Sequence, residues 1–335
     1  MKVVGIIMGN EKGRKMNLDA FLTAHHSPSL RFVKLQSIDD LESIEIDAII
    51  QKIPELLTCQ LSSDDDCAKR FDAFLKGNPN VICIDPPNNV RLLLWRHEQF
   101  LLIENAVKSS DLADRICVPP FCTLDSKDPA INLKRILAVS LKFPLICKPL
   151  SSHGDERAHS MALLFNKEGL EQISYPTLVQ QFWNHDGALF KVAVVGDKTF
   201  VVMRPSIKNL QIADDRKPLF FNSHTASKFN RDGPLGDLKN DKDLDRFQTF
   251  CDDPLFVKVA ALLRRTVGID LFGFDVIRLT KDESSVERTG PEWAIVDLNY
   301  FPSYDKIPHF YHHLENLVRE KLSLPLLPDP SSEDC

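Results

Sequence analysis

FGFDVI (residues 272–277) and WAIVDLN (residues 293–299) are the two most informative stretches of this sequence. In each of them apolar residues alternate with other residues, which is typical of a half-buried β-strand. The polar stretch between them is rich in turn-forming residues, so the two strands are predicted to fold back on each other as a hairpin. In that hairpin Asp275 lies opposite Asp297, with Cβ atoms about 5 Å apart, and Asn299 shares a face with Asp297.

These three side chains predict a site for a divalent cation. Two carboxylates at such a distance repel each other unless a cation lies between them. A small set of hard oxygen ligands suits Mg²⁺ that is also held by substrate phosphates, which is the chemistry of phosphoryl transfer. Aspartate and asparagine at strand ends also commonly cap turns, so the two strands alone leave metal binding and a structural role equally open.

The composition is that of an ordinary globular protein. The 335 residues, of which 43% are hydrophobic and 26% charged, predict about two domains. The net charge of -6 excludes nucleic-acid binding through bulk charge, so an anionic ligand would need a local basic pocket. The cysteines form no CxxC pair and several lie in apolar runs, which favours a reducing compartment. No apolar run approaches the roughly 18 residues of a membrane span, so we expect a cytoplasmic protein without a membrane partner.

Strand and helix patterns divide the chain into three domains and a tail. Residues 1–90 alternate strands with helices, which predicts a small, largely parallel α/β domain. Residues 91–182 predict an antiparallel α+β unit, and one helix is expected over Val90–Val107. Residues 183–324 add further strands, a helix and the candidate metal site. Residues 325–335 are rich in proline, serine and acidic residues, so we expect a disordered tail.

Two lysines on predicted strands are candidate phosphate ligands. Lys148 ends an apolar strand and is followed by SSHGD (residues 151–155), a loop whose backbone amides could cover phosphates. Lys191 interrupts an apolar run, where a buried lysine is costly unless it meets an anion. A lysine that leaves a strand is more often simply solvated, so neither is specific alone. Between them, residues 178–183 run into a connector that could hold adenine or be an ordinary interdomain strand.

The order of these features resembles the ATP-grasp superfamily, and within it the inositol 1,3,4-trisphosphate 5/6-kinases. The resemblance extends from about Lys15 to about Leu317, and RPSIKN (204–209) and FFNSH (220–224) distinguish this family from other ATP-grasp enzymes. Further matching segments are IQK (50–52), RICVPPF (115–121), FPLICK (143–148), FWNH (182–185) and DLNYFP (297–302). The resemblance implies an ATP-grasp fold, α/β and α+β in class, with a small N-terminal parallel α/β domain.

The resemblance also implies roles for individual residues. Those that match nucleotide contacts are Arg96, Lys148, Gln180, Phe182, Trp183, Lys191, Ser206, Ser223 and Ser227. Those that match contacts to inositol phosphates are Lys15, Lys52, His159, Lys191, Asn299 and Ser303. The implied Mg²⁺ ligands are Asp275, Asp297 and Asn299, with two ions expected and ATP as phosphoryl donor. His159 and Lys191 are the implied catalytic residues, because His159 could orient or accept the hydroxyl proton and Lys191 would hold a phosphate.

Three details set this chain apart or leave an assignment open. Ser303 replaces a glycine that the family commonly has after Phe-Pro, and a glycine there lets the backbone approach the substrate. The loop from His153 to His159 is one residue longer than usual, which affects the register of His159. Lys15 could exchange roles with Arg14, or be a solvated surface charge.

The activity implied is that of an ATP- and Mg²⁺-dependent kinase of inositol polyphosphates, such as inositol 1,3,4-trisphosphate, with the 3,4,5,6-tetrakisphosphate as a further substrate. Its partners would be inositol polyphosphates and ATP, without nucleic acid, and we expect a monomer. Two alternatives stay open at this point. One is an ATP-grasp ligase that joins a carboxylate to an amine through an acyl phosphate, and the other is a non-catalytic inositol-phosphate-binding protein.

Overall fold

The computed structural model of the protein describes residues 1–54, 57, 65–153, 156–211, 216–229, 234–280 and 290–330. Over these residues the strands form one four-stranded and two five-stranded sheets, with helices between them. The predicted mixture of α/β and α+β structure is therefore confirmed. Among the described helices, none combines the length and the apolar character needed to cross a bilayer.

The N-terminal sheet is entirely parallel. Its strands are β1 (Lys2–Met8), β2 (Leu30–Leu35), β3 (Ala48–Lys52) and β4 (Ile82–Ile84), in the spatial order β2-β1-β3-β4. Helices α1 (Asn10–Lys15), α2 (Leu18–Ala24) and α3 (Asp65–Gly77) lie between them in the chain. Because the strands are parallel, their carboxyl ends meet at one edge of the sheet, where α1 begins and where Lys52 ends β3.

The prediction of a single helix over Val90–Val107 is wrong. The chain forms two helices there, α4 (Pro87–Arg91) and α5 (Arg96–Lys108). Between them Trp95 is extended and pairs with Ser151, which comes shortly after the strand Leu145–Lys148. This pairing is between residues far apart in sequence, so helical periodicity could not reveal it. The break attaches the loop after Lys148 to the start of α5.

The other strands of the described chain are β5 (Ile116–Cys117), β6 (Phe121–Leu124), β7 (Leu145–Lys148), β8 (Ser160–Leu164), β9 (Thr177–Gln181), β10 (Ala188–Val195), β11 (Lys198–Pro205), β12 (Leu219–Asn222), β13 (Leu271–Arg278) and β14 (Trp293–Tyr300). The other α-helices are α6 (Pro129–Ala138), α7 (Ser223–Ala226), α8 (Leu255–Val267) and α9 (Phe310–Lys321). The central sheet has the order β12-β8-β7-β9-β6, and the C-terminal sheet has the order β11-β10-β13-β14-β5. Both are antiparallel apart from the parallel pairing of β14 with β5.

Each five-stranded sheet includes a strand from the other side of the boundary predicted at residue 182. β5 precedes this boundary and pairs with β14 of the C-terminal sheet. β12 follows it and pairs with β8 of the central sheet. The two units are therefore interlocked through one strand each, and the domain boundaries themselves stay predictions.

The predicted pairing of β13 with β14 is confirmed, while the turn between them lies outside the described residues. Asp275 is the partner of Asp297, as the sequence predicted. On the other edge of β13, Asp275 is also the partner of Lys191 on β10. The side chains of Lys191, Asp275 and Asp297 therefore form one row across three adjacent strands, which we call the charged row.

A β-bulge in β14 determines which face of the sheet carries Asp297. Val276 pairs with Ile295 and Asp275 pairs with Asp297, so Val296 is left without a strand partner. In a regular strand Ile295 and Asp297 would share a face, because side chains alternate. The extra residue places them on opposite faces, so that Ile295 is fully buried in the core while Asp297 lies beside Asp275.

Aromatic residues form the core on the buried face of this sheet. Phe190 on β10, Phe256 on α8 and Trp293 on β14 are fully buried, with ring centroids within 6.0 Å of one another. Lys191 follows Phe190 and therefore points to the opposite face. One face of the sheet is thus fixed by packing against α8, and the other presents the charged row.

A buried polar group joins the N-terminal sheet to β13 and β14. Asp85, which has a positive φ of 62°, accepts hydrogen bonds from the backbone N–H groups of Asp270 (2.6 Å) and Leu271 (3.2 Å) at the start of β13. Gln51 donates from Nε2 to the backbone carbonyl oxygen of Asp85 (2.7 Å). The backbone carbonyl oxygen of Gln51 accepts a hydrogen bond from the hydroxyl of Tyr300 at the end of β14. These bonds fix the end of β3 against the strands that carry the acidic residues.

Candidate active site

A cleft of about 210 Å³ lies between the central and C-terminal sheets. One part of its lining is apolar and consists of Ile146, Met161, Phe182, Trp183, Leu189, Ile207, Phe221, Ile277 and Val296. All the residues predicted as nucleotide contacts line it, namely Arg96, Lys148, Gln180, Phe182, Trp183, Lys191, Ser206, Ser223 and Ser227. His159, Asp275, Asp297 and Asn299 line it as well. The predicted residues Lys15, Lys52 and Ser303 lie outside its lining.

The charged row contains more negative than positive charge. Lys191 Nζ is 3.6 Å from Asp275 Oδ1, and Asn299 Nδ2 donates to Asp297 Oδ2 (3.3 Å). Burial raises the pKa of Asp275, and Asp297 raises it further, whereas Lys191 lowers it. Within the described residues, one buried oxygen of Asp275 and one of Asp297 have no hydrogen-bond partner. Buried carboxylate oxygens are rarely left unpaired, so this pair fits a bound cation.

The donor set fits Mg²⁺ better than a metal held by protein alone. Among the described residues, no group of three or more histidine, cysteine, aspartate or glutamate side chains is placed to hold a metal. Asp275, Asp297 and Asn299 offer only three oxygen-bearing side chains. Mg²⁺ commonly uses one or two carboxylates and takes its other ligands from water and substrate phosphates.

Lys148 is buried at the inner end of the cleft. Its Nζ donates to Gln180 Oε1 (2.8 Å) and to the carbonyl oxygen of Val296 (2.6 Å), and lies 5.2 Å from the centre of the Phe100 ring. Burial lowers the pKa of Lys148 to about 8, although the charge of Asp297 opposes this effect. An approaching anion would stabilise the charged form, so the position suits a phosphate ligand.

Arg96 joins α5 to the loop that follows β7. Its Nη1 donates to the carbonyl oxygens of Pro149 (2.8 Å) and Ser151, and its Nη2 donates to that of Ala158 (3.4 Å). Its Nε lies 4.0 Å from Asp297 Oδ1. Most of its donors are therefore used within the protein, while its charge stays beside the acidic residues. The centre of this loop, residues 154–155, lies outside the described part of the chain.

His185 is a residue of this site that sequence reasoning did not assign. Its Nδ1 lies 2.8 Å from the carbonyl oxygen of Trp183 and therefore donates to it, which leaves Nε2 to accept the hydroxyl of Ser206 (2.9 Å). Burial lowers the pKa of His185, which agrees with this neutral ring. The two bonds fix the connector after β9 against the end of β11.

His159 lies where the central sheet opens into the cleft. Its Nδ1 is 3.2 Å from Ser223 Oγ, and its ring centroid is 4.0 Å from that of His224, a second residue that sequence reasoning missed. Ser227 Oγ donates to the carbonyl oxygen of Ser223 (3.0 Å). Burial lowers the pKa of His159, and the charges of His224 and Arg96 lower it further. A neutral ring at this place can accept a proton.

Two lysines of the N-terminal domain bind the chain directly after Asn299. Lys12 Nζ donates to the carbonyl oxygens of Phe301 (3.1 Å) and Pro302 (2.5 Å), and Lys52 Nζ donates to that of Tyr300 (2.8 Å). Burial lowers the pKa of Lys12 to about 7, and the charge of Lys52 acts in the same direction. The structure therefore fixes Lys52 and Lys12 together beside the residues that follow Asn299, and the predicted contact of Lys52 with inositol phosphates stays a prediction.

Lys15 and Ser303, unlike Lys12, bind acidic side chains outside the cleft. Lys15 is 63% exposed and pairs with Glu11 (2.7 Å) on the outside of α1, although its charge still lowers the pKa of Lys12. Ser303 donates from its hydroxyl to Asp305 (2.7 Å). The signal that could have identified Lys12 is its position, because it comes shortly after the carboxyl end of β1, and Lys52 lies at the carboxyl end of β3.

Comparison with known proteins agrees with this arrangement. Residues 110–320 match the sequence model of the family described as inositol 1,3,4-trisphosphate 5/6-kinase ATP-grasp domain. The chain is 34% identical over 329 residues to inositol-tetrakisphosphate 1-kinase of Xenopus laevis, a match that covers 97% of this chain and 80% of the relative. It is 29% identical over 328 residues to the protein of the same name from Danio rerio, a match that covers 93% of this chain and 77% of the relative.

Solved structures share the fold at low sequence identity. N5-carboxyaminoimidazole synthetase from Staphylococcus aureus, complexed with ADP, aligns with a TM-score of 0.52 and 13% identity, over 97% of this chain and 78% of that one. N5-carboxyaminoimidazole ribonucleotide synthetase from Thermus thermophilus gives a TM-score of 0.51, also at 13% identity. This alignment covers 97% of this chain and 79% of that one. At such identities the similarity concerns the fold alone, whereas the sequence match identifies the family. The chain therefore belongs to the inositol 1,3,4-trisphosphate 5/6-kinase family, whose ATP-grasp domain forms the cleft.

Proposed function

We propose that this protein transfers the γ-phosphoryl group of ATP to a hydroxyl group of an inositol polyphosphate, such as inositol 1,3,4-trisphosphate. The observation that carries the proposal is the charged row of Lys191, Asp275 and Asp297 at one end of a cleft whose other part is apolar. Such a cleft suits a nucleobase at the apolar part and a triphosphate at the charged end. The family match supports the class of acceptor.

The donor nucleotide is proposed to lie in the apolar part of the cleft. Phe182 and Trp183 belong to the connector that carries the apolar lining, and Ser206 is held there through His185. Lys148 lies on the path towards Asp297 and would meet the phosphates. Its lowered pKa of about 8 would rise when an anion binds, so the ATP complex keeps this lysine protonated.

Asp275, Asp297 and Asn299 would hold Mg²⁺, and the expectation of two ions stays a proposal. When bound, Mg²⁺ would neutralise charge on the phosphates of ATP. The buried oxygen of each aspartate that accepts no hydrogen bond from the described residues supports this assignment. Lys191, which is 3.6 Å from Asp275, would share its charge between the carboxylate and a phosphate.

The acceptor is proposed to lie between the cleft and the lysines of the N-terminal domain. Lys12 and Lys52 are fixed beside the end of β14, so their charges converge on the side of the acidic residues that faces this domain. His159 would orient the acceptor hydroxyl or take up its proton. No strong base is needed, because positioning and charge stabilisation dominate phosphoryl transfer.

An assay with purified protein, γ-labelled ATP, Mg²⁺ and a panel of inositol phosphates tests this function. We expect label in an inositol phosphate that carries one more phosphate group than the acceptor supplied. Label released only as inorganic phosphate, and only when a carboxylate and an amine are both present, would identify a ligase instead. Binding of inositol phosphates without label transfer would identify a non-catalytic binding protein.

Replacing Lys12 with methionine should raise the KM for the inositol phosphate about tenfold and leave the KM for ATP unchanged, because a hydrogen bond between charged groups is worth roughly 1.5–3 kcal/mol. In the parent protein the pKa of Lys12 is lowered to about 7, so the protonated form that attracts phosphate is lost as the pH rises. The KM for the inositol phosphate should therefore increase from pH 7 to pH 9. Initial rates across this pH range measure both effects.

Lys15→Met is the matched control for Lys12, because both lysines lie on α1 and only Lys12 binds the chain beside the acidic residues. The control should keep a pH dependence, moved to slightly higher pH because the charge of Lys15 is one of those that lower the pKa of Lys12, and Lys12→Met should lose the dependence altogether. If the two variants behave alike, Lys12 is not the lysine that binds substrate.

A cytoplasmic location and a monomeric state stay predictions. Burial raises the pKa of the thiols of Cys83 and Cys147 to about 12, so these thiols pack as small apolar groups. The cysteines that the structure describes form no disulfide with one another, which supports a reducing compartment.

A further inference from the structure

The pairing of β8 with β12 brings two histidines together at the mouth of the cleft. Asn222, the last residue of β12, is the partner of Ser160, the first residue of β8. His159 precedes Ser160 and Ser223 follows Asn222, so these two residues continue the register and make the contact between His159 Nδ1 and Ser223 Oγ (3.2 Å). The ring of the next residue, His224, then lies tilted against that of His159.

The turn that positions His224 is itself fixed by a hydrogen bond. Asn222 accepts the backbone N–H of His224 on its side-chain oxygen (2.9 Å), which begins the short helix α7. The ring of His224 lies against that of His159, with centroids 4.0 Å apart and planes at 41°. Among the described residues, no hydrogen bond engages the ring nitrogens of His224, although the side chain lines the cleft.

The charges near His224 are predominantly positive. Burial lowers its pKa, and the charges of Lys15, Lys191 and Lys228 lower it further. The charges of Arg96 and Lys15 also lower the pKa of the neighbouring His159, whereas that of Asp297 raises it. A negatively charged group beside the two rings would raise their pKa values and stabilise their protonated forms.

We propose that His224 binds a phosphate group of the inositol polyphosphate acceptor, together with its ring neighbour His159. This inference rests on the proposed function and adds a specificity residue to it. Of the nearby charges, Lys15 favours the acceptor over ATP, because it belongs to the N-terminal domain, beside which the acceptor is proposed to lie, whereas Lys191 is assigned to both substrates. Ser223 and Ser227, which flank His224, are the predicted nucleotide contacts, so His224 would separate the two substrates.

The test compares His224→Gln with the parent protein on inositol 1,3,4-trisphosphate and on the three inositol bisphosphates that each lack one of its phosphates. Glutamine keeps hydrogen-bonding groups but carries no positive charge. We expect the KM for the trisphosphate to rise about tenfold, the scale of a lost hydrogen bond to a charged group, while the KM for ATP stays constant. For the one bisphosphate that lacks the contacted phosphate, the variant and the parent protein should have the same KM.

Two further variants complete the experiment. His313→Gln removes a histidine that also lies next to another histidine, but on α9 outside the cleft, and should change neither KM. His224→Arg restores a positive charge and should recover most of the affinity for the trisphosphate.

Three results would overturn the assignment of His224: an equal rise in KM for every acceptor, a rise in KM for ATP, or no change. If the parent protein phosphorylates no inositol phosphate, the proposed function itself fails. Binding of the same four compounds, measured by calorimetry, then still decides whether His224 contacts a phosphate.

Discussion

Replacing Asp297 with asparagine should lower kcat by about 10³-fold or more, because charge stabilisation supplies most of the rate enhancement in phosphoryl transfer. The substitution keeps the shape of the side chain and removes one of the two negative charges that face each other in the charged row. Folding should not suffer. Asp297 raises the pKa of Asp275, which means that the two carboxylates repel each other in the folded protein. The charge of Asp297 also stabilises the buried cations of Arg96 and Lys148, so the two effects offset and the variant should unfold at about the same temperature as the parent protein.

Single-turnover kinetics at saturating Mg²⁺ and thermal unfolding together measure this prediction. Asp305→Asn is the control, since Asp305 lies near the same strand but its carboxylate is held by Ser303 outside the cleft. Activity of Asp297→Asn close to that of the parent protein would remove Asp297 from the metal site. A large drop in unfolding temperature would instead make Asp297 a structural residue.

Replacing Lys191 with methionine should lower kcat/KM for the inositol phosphate by about 10³-fold, because one cation serves both the carboxylate and the transferred phosphate. Lys191 Nζ lies 3.6 Å from Asp275, so its replacement removes the positive charge of the charged row and leaves the two aspartates. The concentration of Mg²⁺ needed for half-maximal activity should therefore fall, although the maximal activity is much lower. This combination separates a loss of charge from general damage to the site.

Titrations of activity against Mg²⁺ concentration in both proteins measure the effect. Lys198→Met is the control, because Lys198 begins the neighbouring strand β11 and is exposed at the far end of the sheet. A variant that needs more Mg²⁺ than the parent protein would show that Lys191 supports metal binding rather than opposing it.

The sequence predicted the charged hairpin because two local signals agreed there. Alternation in two short apolar stretches and a polar turn between them were enough to place Asp275 opposite Asp297. The bulge at Val296 could not be predicted in the same way. It depends on how Ile295 packs in the core while Asp297 faces the cleft, and that choice is made by tertiary contacts.

Other features could not be predicted from the sequence, because they depend on contacts between residues far apart in the chain. The helix predicted over Val90–Val107 is interrupted where Trp95 pairs with Ser151. Lys12 and Lys15 both lie on α1, and only the folded structure shows that Lys12 reaches the chain after β14. The nucleotide residues were placed by resemblance, and their shared cleft agrees with that placement without testing each role.

The exchange of β5 and β12 between the two five-stranded sheets has a consequence for biosynthesis. The N-terminal sheet is complete once residue 84 has left the ribosome, so it can form early. The central sheet lacks its edge strand until residue 222 has emerged, and β5 must wait for β14, which ends at Tyr300. The edge of the central sheet is therefore unfinished between the synthesis of β8, which ends at Leu164, and that of β12, while β5 stays unpaired from residue 117 until β14 is made. In these intervals the nascent chain depends most on protection from aggregation.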